Sequence, residues 1–122
     1  MKYLKVLNLT DNDIIWVEAL PEKVDKIKKK PNIIILNECI SDKDDDDDDI
    51  IFHVTNNYES SSILKLKNHL IEHPHIHQIY ELPMKTKTLR TLYNENNILS
   101  YKYNFMNLDI QGAELKALKG CN

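Results

Sequence analysis

Apolar residues fall in short blocks separated by polar, Asn-rich or Pro-marked stretches. Ile14-Ile15-Trp16-Val17 is a fully apolar, β-rich run ending at Glu18, the pattern of a buried parallel strand. Pro21 opens a helix predicted over 22–30. Acidic Glu22 lies in its first turn and lysines in its last, as the helix dipole favours, and Pro31 closes it. Ile33-Ile34-Ile35-Leu36 is a second buried strand that can run on to Ile40. Strand, helix and strand with short links predict a βαβ unit with a right-handed crossover.

Six aspartates, 44–49, follow, and Ile50-Ile51-Phe52-His53-Val54 is a third strand, so the acidic run reads as the loop before it. Residues 60–70 read as a loop leading into a short helix, with Ser61 or Ser62 as N-cap and Pro74 limiting its end. A strand over 78–85 and a helix over 88–97 come next. The run 103–110 reads as a buried strand ending in the carboxylate of Asp109. A tight turn at Gln111-Gly112 and a helix from Ala113-Glu114 to Gly120 complete the pattern. The chain's two glycines both lie in this last stretch, which predicts a sharp turn or close backbone approach at Gly112 and a left-handed cap at Gly120. Alternating strands and helices predict an α/β domain with a mixed sheet.

Composition narrows the function classes. At 42% hydrophobic residues the chain can build a core, and a net charge of −3 leaves no footprint for nucleic acid. No apolar run approaches the ~20 residues of a membrane span, and residues 1–5 carry no signal-peptide core, so a cytoplasmic location is the default expectation. Cys39 and Cys121 show no metal or redox spacing. With no glycine before Gly112, a Gly-rich phosphate loop is excluded from the chain.

Four constellations could carry chemistry. Glu18, at a strand end that leads into a helix, can accept hydrogen bonds from both hydroxyls of a ribose; spacing alone favours a helix-entry charge. A carboxylate at the end of a buried strand, Asp109 with Glu114 beyond it, could position a substrate, bind a metal or act as a base. The alternative is that Asp109 caps the turn and Glu114 complements the helix N-terminus. His69, His73, His75 and His77 have spacings that can hold zinc, but Pro74 breaks any shared helix and no further ligand completes a set. The aspartate run lacks the spaced oxygens and glycine of a calcium loop and reads as solvated.

Taken together, Ile14-Ile15-Trp16-Val17-Glu18-Ala19-Leu20-Pro21, Leu36-Asn37-Glu38-Cys39-Ile40-Ser41-Asp42, Glu59-Ser60-Ser61-Ser62-Ile63-Leu64 and Asn107-Leu108-Asp109-Ile110-Gln111-Gly112-Ala113-Glu114 resemble the FkbM family of S-adenosylmethionine-dependent methyltransferases. That family has the same order: acid-ended strand, strand ending in Ser-Asp, hairpin insertion, Ser-rich turn, then Asp-x-x-Gly-x-Glu. The resemblance implies a Rossmann-like class I methyltransferase sheet and methyl transfer to a hydroxyl oxygen, for example of a sugar. It implies that Glu18 holds the ribose hydroxyls of S-adenosylmethionine, with Ala19 beside the adenine and Ser41 and Asp42 near the adenine edge. Asp109 would stand at the reacting end of the central strand, with Glu114 nearby; no metal is implied.

The expectation is one partial domain over 1–122, the middle of such a fold, without its Gly-rich loop and later strands. Arg90 also stands where the family pattern carries an acid after Thr-Leu. These features support an alternative, a non-catalytic remnant acting as a subunit or interaction module. Open sheet edges would then favour self-association or a partner chain. A metal-binding module ranks below both.

Overall fold

The acid-ended run forms β1 (Ile15–Glu18) in the computed structural model, which describes residues 5–44, 50–58, 61–65 and 74–121. Pro21 starts α1 (Pro21–Lys28), and β2 (Ile34–Asn37) follows. β1 and β2 pair in parallel, with Ile15 opposite Ile34 and Glu18 opposite Asn37. The predicted strand–helix–strand unit is thus present, with the helix two residues shorter than expected at its C-terminal end. Val24 and Ile27 are the apolar positions of α1, one turn apart among charged neighbours. Val24 is buried with Leu20 and Ile35, while Val17 and Ile34 keep one side to solvent. The first of two compact units, Met1–Cys39, is built this way.

The second unit, Ile40–Asn122, opens on the second residue of β3 (Cys39–Ile40). β4 (Ile50–Thr55) and β5 (Gln78–Met84) form an antiparallel pair, and β6 (Thr86–Lys87) is the partner of β3. α2 (Leu89–Glu95) and α3 (Glu114–Lys119) are the described α-helices of this unit. Phe52, Val54, Leu92 and Ala117 are among its buried apolar side chains.

β4 is buried on both faces. Phe52 and Val54 lie on one side, and His53 and Thr55 on the other, because successive side chains alternate across a strand. On one edge it pairs with β5; on the other, His53 exchanges both backbone hydrogen bonds with Ser62, at 2.7 and 3.1 Å.

α2 is capped twice. Thr88 accepts the N–H of Thr91 with its hydroxyl. Asp44, first of the six aspartates, accepts from the Thr88 N–H at 2.9 Å and from the Thr91 hydroxyl at 2.6 Å. The Thr91 hydroxyl first, then the Thr88 N–H, hold the Asp44 carboxyl below its ordinary pKa. This residue is therefore an exposed anion at the N-terminal end of α2; residues 45–49 lie outside the described residues, as does most of the helix expected within 60–70.

Three expectations are corrected. The α/β class holds, but among the described residues the mixed sheet is divided into three two-stranded sheets. Residues 103–110 are not a strand: a ladder needs a partner about 4.8 Å away, and among the described residues no strand runs beside this stretch. Tyr103, Phe105 and Met106 are accordingly exposed. Gly120 is not in the left-handed region, with φ −80°. Its requirement is close approach: a Cβ there would lie 2.7 Å from the Ser41 carbonyl oxygen and 3.1 Å from the Thr88 Cβ. Burial pushes the Cys39 thiol up to about 11, with the neighbouring Glu38 carboxylate adding to the shift.

Gly120→Ala should therefore destabilise the chain by about 1–3 kcal/mol, as overpacking does, read as a lower urea midpoint with an unchanged slope. A wild-type midpoint would show that Ser41 and Thr88 yield to the methyl group.

Candidate functional site

Glu18 ends β1 at the point where the chain turns toward α1. Its Oε1 accepts the Leu20 N–H at 3.0 Å, which bends the carboxylate back over the Ala19 turn. Opposite it, Asn37 ends β2 and donates from Nδ2 to two carbonyls, Glu18 and Ala19, both at 2.9 Å. The Glu38 N–H adds a third bond, to the Glu18 carbonyl at 3.1 Å. The main chain at 18–19 is thus clamped from the neighbouring strand. Glu18 and Ala19 are half-buried. Trp16, two residues up β1 and hence on the same face as Glu18, has an indole N–H that is buried without a partner among the described residues.

Asn37 had no assigned role in the sequence, although a polar residue closing an apolar strand was a readable signal. Its amide matches two convergent carbonyls, which an apolar side chain of the same size could not do.

In the second unit, Ser41 is buried, and its hydroxyl donates to Asp42 Oδ1 at 3.1 Å while its N–H donates to the Lys87 carbonyl. Asp42 is half-buried.

The Asp-x-x-Gly-x-Glu motif folds into a turn over 110–113. Gln111 and Gly112 both have positive φ, 56° and 97°, and the Ala113 N–H reaches back to the Ile110 carbonyl. Two successive left-handed residues make the reversal tight, and the predicted need for glycine at 112 is met. Glu114 closes this turn. Its Oε1 accepts from the Ile110 N–H at 2.9 Å and the Gly112 N–H at 3.1 Å. Desolvation pulls its pKa up, but the backbone N–H groups of Glu114, Ile110, Gly112 and Gln111 outweigh this and hold it below the ordinary value.

Asp109 is exposed at the mouth of the turn rather than at a strand end, and accepts from Gln111 Nε2 at 2.8 Å. The turn is held to the hairpin by Ser62, whose hydroxyl donates to the Ile110 carbonyl at 3.1 Å and accepts the Leu64 N–H. The Ser-rich turn and the Asp-x-x-Gly-x-Glu motif, 48 residues apart in sequence, meet through this bond.

His75 and His77 are exposed beside Asn56, which accepts the His77 N–H and donates to the His75 carbonyl. His69 and His73 lie outside the described residues. Among the described residues no three His, Cys, Asp or Glu side chains gather as metal ligands. No described helix is long and apolar enough to cross a membrane.

Because the folded pKa of Glu114 is depressed, its stabilising effect is present above the unfolded carboxyl value, about 4.3, and is lost as pH falls through the folded value. Urea unfolding of wild type and Glu114→Gln between pH 3 and 7 should show the full stability gap near neutrality and none at the acid end. A gap constant with pH would refute the turn-closing role.

In comparison with known families, the model described as "Methyltransferase FkbM domain" matches residues 3–122 of this chain. No curated protein matches, and no solved structure matches.

Proposed function

The chain belongs to the FkbM methyltransferase family, which makes it an S-adenosylmethionine-dependent methyltransferase domain, and from that premise we propose that Glu18 holds the ribose of S-adenosylmethionine and that the transferred methyl goes to a hydroxyl oxygen, such as that of a sugar. The observation that carries the cofactor reading is the Glu18–Ala19 turn. A carboxylate at the C-terminal end of a parallel strand stands where open α/β sheets hold ligands. With Oε1 already bonded to the Leu20 N–H, Glu18 is held in one orientation and keeps lone pairs for two vicinal hydroxyls. The Asn37 clamp on both carbonyls keeps the turn from shifting when that carboxylate is loaded. The donor set fits: a carboxylate acceptor, with the orphaned Trp16 indole N–H on the same face.

Bound S-adenosylmethionine supplies an electrophilic methyl group on a sulfonium, an activated leaving group. The protein's contribution is then to bring an oxygen nucleophile in line and to accept a proton. Asp109 orients the acceptor, at the open side of the 110–113 turn. Glu114 keeps that turn closed. The assignments of Ala19, Ser41 and Asp42 to the adenine come from the family resemblance.

Calorimetry with S-adenosylmethionine and S-adenosylhomocysteine should give micromolar binding. Glu18→Ala should weaken it by about 10- to 100-fold, the value of a hydrogen bond to a charged group. Equal affinities in the two chains would remove Glu18 from the cofactor site.

A second reading, an interaction module, is favoured by the exposed apolar side chains of Tyr103, Phe105 and Met106, close together in one segment. Apolar surface grouped in this way favours contact with another chain. It predicts concentration-dependent association in light scattering, and a monodisperse monomer at high concentration would count against it.

A further inference from the structure

We infer that Asn37 is a positioning residue of the ribose site: it orients the Glu18 carboxylate through the Ala19–Leu20 peptide, and so sets the preference for ribose over 2′-deoxyribose in the nucleoside that binds. That role rests on the proposal above that Glu18 holds the ribose of S-adenosylmethionine, and it names the group that makes this hold depend on both hydroxyls.

The residues concerned all belong to the first unit. Glu18 and Asn37 are partners in the register of the parallel pair, so they end β1 and β2 side by side. Asn37 is exposed and Glu18 half-buried, which leaves both within reach of a ligand. The Asn37 amide has one possible orientation here. Its two neighbours are carbonyl oxygens, which only accept, so its NH2 group must face them and Oδ1 turns away.

One of the two carbonyls leads back to the carboxylate. The Ala19 carbonyl belongs to the same planar peptide as the Leu20 N–H. Asn37 Nδ2 donates to one end of that plane at 2.9 Å, and the other end donates to Glu18 Oε1 at 3.0 Å. A bond accepted at the carbonyl polarises the N–H of the same peptide and makes it a better donor. The preceding plane is held as well, because the Glu18 carbonyl accepts from Asn37 Nδ2 at 2.9 Å and from the Glu38 N–H at 3.1 Å. Asn37 thus acts on the carboxylate through a rigid unit, without touching it.

The consequence for a ligand follows from geometry. A carboxylate anchored at one oxygen presents its remaining lone pairs in one direction, and the two adjacent hydroxyls of a ribose match that fixed set of acceptors. Without Asn37, the Ala19–Leu20 plane is free to rotate about its flanking bonds and carry the Leu20 N–H away. The carboxylate then swings; it still accepts from one hydroxyl but no longer holds two at once. Asn37 therefore contributes more to the binding of a ribose than of a 2′-deoxyribose. A clamp that merely joined β2 to the end of β1 would act on the two sugars alike.

The first test needs no ligand. Amide hydrogen exchange of the whole chain, followed by NMR, should show the Leu20 N–H exchanging about 5- to 10-fold faster in Asn37→Leu. The Val24 N–H, bonded to the Leu20 carbonyl at 3.2 Å, should keep its wild-type rate. Unchanged exchange at Leu20, or equal acceleration at both amides, overturns the inference. The second test compares S-adenosylhomocysteine with its 2′-deoxyadenosyl analogue by calorimetry. Wild type should prefer the ribose ligand about 10-fold or more, the value of one hydrogen bond to a charged group. Asn37→Leu and Glu18→Ala should each reduce that preference to within about threefold. An Asn37→Leu chain that binds more weakly but with the wild-type preference would make Asn37 a structural residue and overturn the inference. A wild type that binds neither ligand, or both equally, strikes the Glu18 reading instead, and the Leu20 exchange then decides whether Asn37 holds the carboxylate. Should Asn37→Leu not fold, Asn37→Asp, of the same shape and with no N–H to give, replaces it in both tests. Loss of the fold in both variants would make the clamp structural and overturn the inference as well.

Discussion

The second unit depends on β4 being paired along both edges. A strand buried on both faces must satisfy its peptide groups within the protein, because no water reaches them. β5 supplies one edge. On the other, the two bonds between His53 and Ser62 bring in the Ser-rich turn, and the Ser62 hydroxyl then fixes the Ile110 carbonyl. From there Glu114 closes the turn and α3 begins. α3 ends at Gly120, pressed on the Ser41 carbonyl and on the N-terminus of α2, where Gly120 also accepts the Arg90 N–H. Two short motifs and two helices are thus positioned by hydrogen bonds that all trace back to one strand.

Much of this was legible in the sequence. Uniform apolar runs located β1, β2 and β4, and Pro21 fixed the start of α1, since local signals suffice where an element is covered by its nearest neighbours. Gly112 was legible because a reversal immediately before a helix leaves few conformations. The resemblance to the FkbM family, read from four short segments, agrees with the family match over 3–122.

What was not legible depended on partners distant in sequence. Residues 103–110 have the composition of a buried strand, but a strand is defined by its neighbour, and none of the described residues provides one. Gly120 signalled a cap through its identity, while its real constraint is the Ser41 carbonyl, nearly 80 residues away. Asp44 was indistinguishable from the five aspartates after it until α2 was seen to start at it. The clamp that Asn37 places on the Glu18 and Ala19 carbonyls required the register of the parallel pair.

The chain contains a single tryptophan, and it stands on β1 two residues from Glu18. Its emission is therefore a built-in optical signal for the first unit alone. Quenching or a spectral shift on adding a nucleoside would originate near the Glu18 turn. Loss of fluorescence during denaturation would time the melting of the parallel pair separately from the hairpin that carries His53.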